Sequence, residues 1–162
     1  MNFRKEKFIK VLMFIISKTS TQYNVGKTVI WNMLYFIDFN YFEIYGETLT
    51  GETYFKSEYG ALPSHFGEVI RELIYYNKIY LRKEPYFSKF INKYYLTSIH
   101  NINLDNKEMV IINDVLDKLS DFSAVEIVDY ICGDVPFKIA SFDEELDYTY
   151  VFYRDYEYSA VL

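Results

Sequence analysis

The sequence predicts a mainly α-helical domain with a small antiparallel β element, a compact α+β arrangement carrying a short hairpin or wing. Three observations predict it. Apolar residues recur at helical spacing over most of the chain. Only six glycines and three prolines interrupt its 162 residues. Two short stretches rich in β-formers, 79–81 and 93–98, lie close enough in sequence to pair as a hairpin. The length suits one domain over 1–162 with a substantial buried core, and no linker, repeat or low-complexity tract divides it.

The elements follow in order. Phe8, Val11, Leu12, Ile15 and Ile16 share a face, so 3–18 reads as an amphipathic helix, and 17–24 is polar and turn-like. From about 25 to 45 the pattern is apolar on two faces. Ile30, Leu34, Ile37, Tyr41 and Ile44 form one stripe, and Trp31, Tyr35, Phe42 and Tyr45 another. A helix of that kind belongs in the middle, packed by others. Gly46, next after Tyr45, is placed to cap it. A turn at 48–51 ends in Gly51, and 53–59 reads as a short edge strand. Gly60 precedes Pro63 and Ser64, which sit where a helix opens whose buried face is Phe66, Val69, Ile70, Leu73 and Ile74. Asn103 or Asp105 caps a helix reaching Leu119, with Val110 or Ile111, Val115 and Leu119 inward. Ser123 caps 124–132, and Glu126 three residues on completes a capping box. After Pro136 the chain turns acidic and Tyr-rich, and its pattern fits helix and strand equally.

Composition narrows the function classes. A net charge of −6 argues against a dedicated nucleic-acid binder. The single cysteine, Cys132, permits no intramolecular disulfide and fits a reducing compartment. The longest apolar run, 11–16, falls far short of the ~20 residues of a membrane span. Arg4, Lys5 and Lys7 precede an apolar stretch, but Lys10 interrupts it and no cleavage-site pattern follows, so a secretory signal is not indicated. The expectation is a cytoplasmic protein. The 18 tyrosines and 14 phenylalanines cannot all be buried, so rings should reach the surface and suit protein contacts. A compositional habit in which Tyr stands in for Phe and Leu explains the total count slightly better.

No residue set nominates itself for catalysis, a cofactor or a metal. Gly26-Lys27-Thr28 resembles the end of a phosphate-binding loop, but Thr21 stands where the upstream glycine belongs and no strand precedes it. His65 and His100 lie far apart, with no Cys or carboxylate at ligand spacing. Cys132 is expected to be buried and inert near a helix C-terminus, the end that raises a thiol pKa. Asp38 falls on a face that should be buried. Its structural reading is a carboxylate receiving hydrogen bonds from a neighbouring loop near Gly51 or Gly60, and its functional reading is a contact offered to a partner. Charge is uneven. Arg82, Lys83, Lys89 and Lys93 interleave with aromatics, which describes either a strand of nucleic-acid-stacking residues or a solvated wing. Between 143 and 157 six carboxylates face Arg154 alone, either a surface for a basic partner or a solvated terminal element.

Several runs resemble the Panacea domain of SocA-like antitoxins. Leu34, Tyr35, Phe36 and Asp38 match its Leu-Tyr-Phe-x-Asp-type helix, Tyr45 and Gly46 the Tyr-Gly that ends it, and Thr50 and Gly51 the turn. Tyr59, Gly60, Pro63 and Ser64 match the segment opening the next helix, with Ala61 and Leu62 in place of Pro-Val. Ser123, Ala124, Glu126, Ile127, Val128 and Asp129 resemble a second block. That block usually continues to Thr-His and Pro-Trp, where this chain has Ile131, Cys132 and, after Pro136, Phe137. The likeness spans about 28–137 and leaves an acidic Tyr-rich element at about 140–162 unmatched.

The resemblance implies a non-enzymatic domain, associated with phages and antitoxins, that binds a protein partner. Such a domain neutralises a toxin or, as a proteolytic adaptor, presents it to a Clp-type protease. Tyr59, His65, Tyr148, Tyr150, Tyr153 and Tyr156 are the candidate contact residues. Two alternatives remain: a phage-derived inhibitor of a host defence or nucleic-acid-processing protein acting through the acidic tail, and nucleic-acid binding through the basic-aromatic wing.

Overall fold

The computed structural model describes residues 2–98 and 101–161; His100 lies outside them. Its organising element is the helix α2 (Lys27–Tyr45), thirteen of whose nineteen residues are buried. The two apolar stripes demand cover, and six elements supply it: α1 (Lys5–Thr19), the β2 strand (Gly60–Pro63), the β4 strand (Lys89–Leu96), α4 (Asn106–Leu119), α5 (Ala124–Ile131) and a 3-10 segment at Tyr148–Tyr153. Gly46 ends α2 in the left-handed region at φ 71, where its N–H reaches the Phe42 carbonyl at 2.8 Å. Asp105 is the residue that caps α4, and Ser123 caps α5, each within a complete capping box. On α4 Ile111 faces inward and Val110 outward.

The β element is larger than the sequence indicated. Antiparallel hairpins form from β1 (Tyr54–Ser57) with β2, and from β3 (Ile79–Tyr86) with β4 (Lys89–Leu96). The first departs from expectation twice. The strand at 54–57 is not an edge, because residues 143–146 run along its outer side: Lys56 N–H donates to the Glu144 carbonyl at 3.0 Å and Leu146 N–H to the Tyr54 carbonyl at 2.8 Å. Pro63 does not open a helix; it ends β2 opposite Tyr54. The next helix, α3 (Phe66–Tyr75), starts after His65 because Glu52, reaching across from the preceding turn, caps it. Its buried carboxylate accepts from His65 N–H at 2.9 Å and from the Ser64 hydroxyl at 2.9 Å.

The acidic C-terminal part resolves into mixed structure rather than one element: a short helix α6 (Val135–Lys138), the extended stretch beside β1, and the 3-10 segment. It is built into the core, with Leu146, Tyr148 and Val151 buried. Arg154, the lone cation between 143 and 157, has its whole side chain buried. Its guanidinium forks onto Asp134, with Nε to Oδ1 at 2.9 Å and a terminal nitrogen to Oδ2 at 2.7 Å. The other terminal nitrogen reaches Glu43 and Asn40 of α2, each at 2.8 Å. Tyr35 donates to Asp134 at 2.8 Å, and Glu43 also accepts from the Ser159 hydroxyl and Ala160 N–H. Burial opposes charge on Arg154, but the Asp134 carboxylate holds it firmly cationic. The tail is therefore locked to the central helix by a desolvated ion network.

Arg154→Ala should leave Asp134 and Glu43 buried without their cation, destabilising the protein by about 3–5 kcal/mol in urea unfolding. A loss of under ~1 kcal/mol, the scale of an exposed pair, would show that the tail is not held this way.

Candidate protein-binding surface

Three buried polar side chains of α2 place the surface segments. Asn32 is fully buried and reads the β1–β2 turn from below: its amide donates to the Tyr59 carbonyl at 3.0 Å, and its oxygen accepts from Ala61 N–H at 3.1 Å. Gly60, at φ 89, lies so close over Asn32 that a Cβ would strike that side chain. Tyr59 is thereby held outward, 55% exposed. Asp38 does the same for the turn before β1, accepting from Thr50 N–H at 3.0 Å, the Thr50 hydroxyl at 2.7 Å and the Tyr54 hydroxyl at 2.6 Å. The donors come from the loop beside Gly51 and from β1. Tyr35 is the third, through Asp134.

Burial raises the Asp38 carboxyl to about 6, outweighing three hydrogen bonds that favour its charge, with Glu52 adding a smaller upward push. Burial likewise drives the Tyr54 phenol, next to Asp38, well above its usual range.

Ser64, His65 and Glu52 come together, a trio the spacing did not suggest. The Glu52 carboxylate lies 2.6 Å from His65 Nδ1, and the Ser64 hydroxyl 3.1 Å from the same nitrogen. In a nucleophile–base–orienter chain the hydroxyl and the carboxylate engage opposite ring nitrogens. Here both crowd Nδ1, and Phe3 stacks flat on the ring at 3.9 Å. This trio is a helix cap. Among the described residues no group of three or more His, Cys, Asp or Glu side chains is placed to hold a metal.

The long hairpin leans over the amino end of α2. Its register places Tyr86 opposite Lys89, leaving Phe87 and Ser88 as a two-residue tip. Lys93 is not part of the solvated basic face that the sequence suggested. It is buried, because its ammonium turns inward to the Thr19 and Gln22 carbonyls and anchors the arm to the α1–α2 connection. Burial lowers its pKa. Gly26 permits the close seat, since a Cβ there would sit 2.5 Å from the Ile91 side chain. Between the arm, the Tyr59 turn and the starts of α2 and α5 lies a groove of about 550 Å3. Tyr59, Phe87, Phe90 and Val125 stand exposed around it.

The remaining candidates divide. Tyr150, Tyr153 and Tyr156 are exposed, and Tyr150 lies beside Glu144, Glu145 and Asp147. Tyr148 is not a contact residue: its ring stacks on Phe39 at 4.0 Å and its hydroxyl donates to the Glu52 carbonyl at 2.7 Å. Cys132, expected to be buried, is exposed, because the short α5 buries only Ile127 and Ile131. Sequence reasoning missed Asn32, Glu52, Asp134 and Arg154. Asn32 carried the same signal as Asp38, a polar residue inside an apolar helical run. The others find partners too far along the chain for spacing to indicate.

The profile of one protein family, described as antitoxin SocA-like, Panacea domain, matches residues 31–134. The match runs from Trp31, in the second turn of α2, to the buried Asp134. No curated protein and no solved structure matches the chain. No helix among the described residues is long and apolar enough to cross a membrane.

With a carboxyl pKa near 6 when folded against 3.8 in the unfolded chain, the native state binds the Asp38 proton more tightly. Asp38 therefore contributes stability that is complete below the unfolded value and is lost as the pH rises through about 6. Wild type minus Asp38→Asn stability, from urea unfolding at several pH values, should rise by up to about 3 kcal/mol between pH 7 and pH 4. A flat difference would mean that the carboxylate is charged in the fold throughout.

Proposed function

Because the chain belongs to the antitoxin SocA-like Panacea family, we propose that it acts by direct, non-catalytic contact with a protein partner, a toxin that it neutralises or presents to a protease. The observation that carries this reading is the set of large apolar side chains left in water around one groove: Phe87 at 84%, Val125 at 80%, Phe90 at 68% and Tyr59 at 55% exposure. Grouped apolar groups of this size are costly to leave hydrated and gain most when a partner covers them. The same reading takes 1–162 as one functional unit, since the core extends continuously from Phe8 to Val151.

A second reading rests on another surface, where Glu144, Glu145 and Asp147 are exposed beside Tyr150. A basic host protein drawn to that surface would make the chain a charge-imitating inhibitor.

Affinity capture from host lysate at low and then high salt, with mass spectrometry of the retained protein and a growth-rescue assay for the gene found, separates the readings. The antitoxin reading expects one stoichiometric protein that survives high salt and whose toxicity co-expression suppresses. A basic protein lost at high salt supports the inhibitor. Recovery of nucleic acid alone overturns both.

A further inference from the structure

The groove under the hairpin has a chemistry that specifies more than a sticky surface. Its floor is apolar, from Val29 and Ile91. Of the described residues lining it, none is acidic, while Lys27 and Lys89 are cations. This is unusual in a chain of net charge −6. The amino end of α2 opens beside it with no side-chain cap and no acidic residue in its first turn. A cation, Lys27, occupies the turn where an anion is normally favoured, so the positive end of the helix dipole is reinforced rather than neutralised. The contrast within the molecule is direct, since α4 and α5 each carry an acidic residue in a capping box.

The hairpin tip adds an independent observation. Phe87 has a φ of 54 and is 84% exposed. Two-residue turns use Gly, Asn or Asp at such positions, and the Phe87 ring meets its neighbour Tyr86 edge-on at 4.8 Å while most of its surface stays in water. A local rule broken to hold an aromatic ring outward marks a position suited to contact. Nucleic acid suits the groove poorly. Two lysines make a short phosphate track, and Lys93, which would lengthen it, is turned away into the α1–α2 connection.

We propose that this groove docks an acidic peptide segment bearing aromatic or aliphatic anchors, its apolar side chains on Val29, Phe90, Ile91 and Val125 and its carboxylates toward Lys27, Lys89 and the amino end of α2. The inference rests on the protein-binding reading and names the chemistry of the partner at this site.

The test is panning of a phage-displayed library of short random peptides on the full-length protein, followed by fluorescence anisotropy with the most enriched peptide. Enrichment should favour peptides that pair two or more acidic residues with Phe, Leu, Ile or Trp. Lys27→Glu with Lys89→Glu should weaken the winner by about tenfold or more, and Val125→Glu should weaken it separately. All three sites are exposed. An acid in the first turn of α2 favours the helix, so these variants should keep the wild-type circular dichroism and melting temperature. Absence of enrichment, enrichment of basic peptides, or equal binding by the variants overturns the proposal, as does an oligothymidine probe that binds the wild type and is lost in the Lys27/Lys89 variant. A toxin captured from lysate whose binding ignores these substitutions sinks the groove assignment and leaves the antitoxin reading intact. Acidic peptides bound at the groove with no toxin captured do the reverse.

Discussion

On a helix buried over most of its length an unanswered polar side chain is costly, and α2 carries several that are answered, the buried Trp31 indole N–H being left without a partner. That constraint organises the molecule. Asn32, Tyr35, Asp38 and Glu43 sit on a helix with almost no water beside it, and each buried polar group left unpaired would cost about 1–3 kcal/mol, more if charged. Each is satisfied by a segment distant in sequence. Asn32 takes the β1–β2 turn, Asp38 takes Thr50 and Tyr54, and Tyr35 and Glu43 take the network around Asp134 and Arg154. Apolar packing makes the core, but these bonds decide which loop lies against which turn of the helix. A non-directional force alone would not distinguish the alternatives.

The tyrosines divide along the same line. Tyr35, Tyr54 and Tyr148 lie inside with each hydroxyl bonded, where a phenylalanine would fill the space but remove one of the hydrogen bonds that a buried carboxylate or carbonyl receives. Tyr59, Tyr75, Tyr153 and Tyr156 project into water. The tyrosines are thus not a uniform adhesive: one subset ties buried acceptors together and another is exposed. The terminal element shows both roles in a few residues. Tyr148 and Arg154 reach inward while Tyr150 and Tyr153 point out, so a segment that looks like an appended acidic tail also completes the core.

Periodicity made most of the helices legible, and capping chemistry located the start of α5 and narrowed that of α4 to Asn103 or Asp105, because both are local: a box such as Ser123 with Glu126 closes within one turn. The central place of α2 could be read from its double apolar stripe, and the structural role of Asp38 from its position in that stripe. What stayed hidden depends on contacts between distant residues. Glu52 starts α3 from across a hairpin, so a sequence eye set the helix at Pro63, three residues early. Residues 143–146 cover β1, so a strand that reads as an edge is internal. Lys93 in a run of basic and aromatic residues reads as surface, and only the fold shows its ammonium turned to the Thr19 and Gln22 carbonyls.

That buried lysine bears on how the groove is kept open. A two-stranded hairpin by itself is marginally stable in water, and an arm free to swing would lose much of any binding energy to its own ordering. The arm here is fixed at its base and middle: Tyr94 is buried and meets Phe66 edge-on at 6.0 Å, Lys93 is tied to the α1–α2 connection, and Ile91 fits over the bare Gly26. The opposite wall is fixed as firmly, because Asn32 and Gly60 hold the Tyr59 turn and the Ser123–Glu126 box holds the start of α5. Only the tip, with Phe87 and Phe90, projects beyond these anchors. The Lys93, Ile91 and Tyr59-turn anchors trace back to α2 or its connection to α1, so residues that stabilise the core also help pre-set the width of the groove.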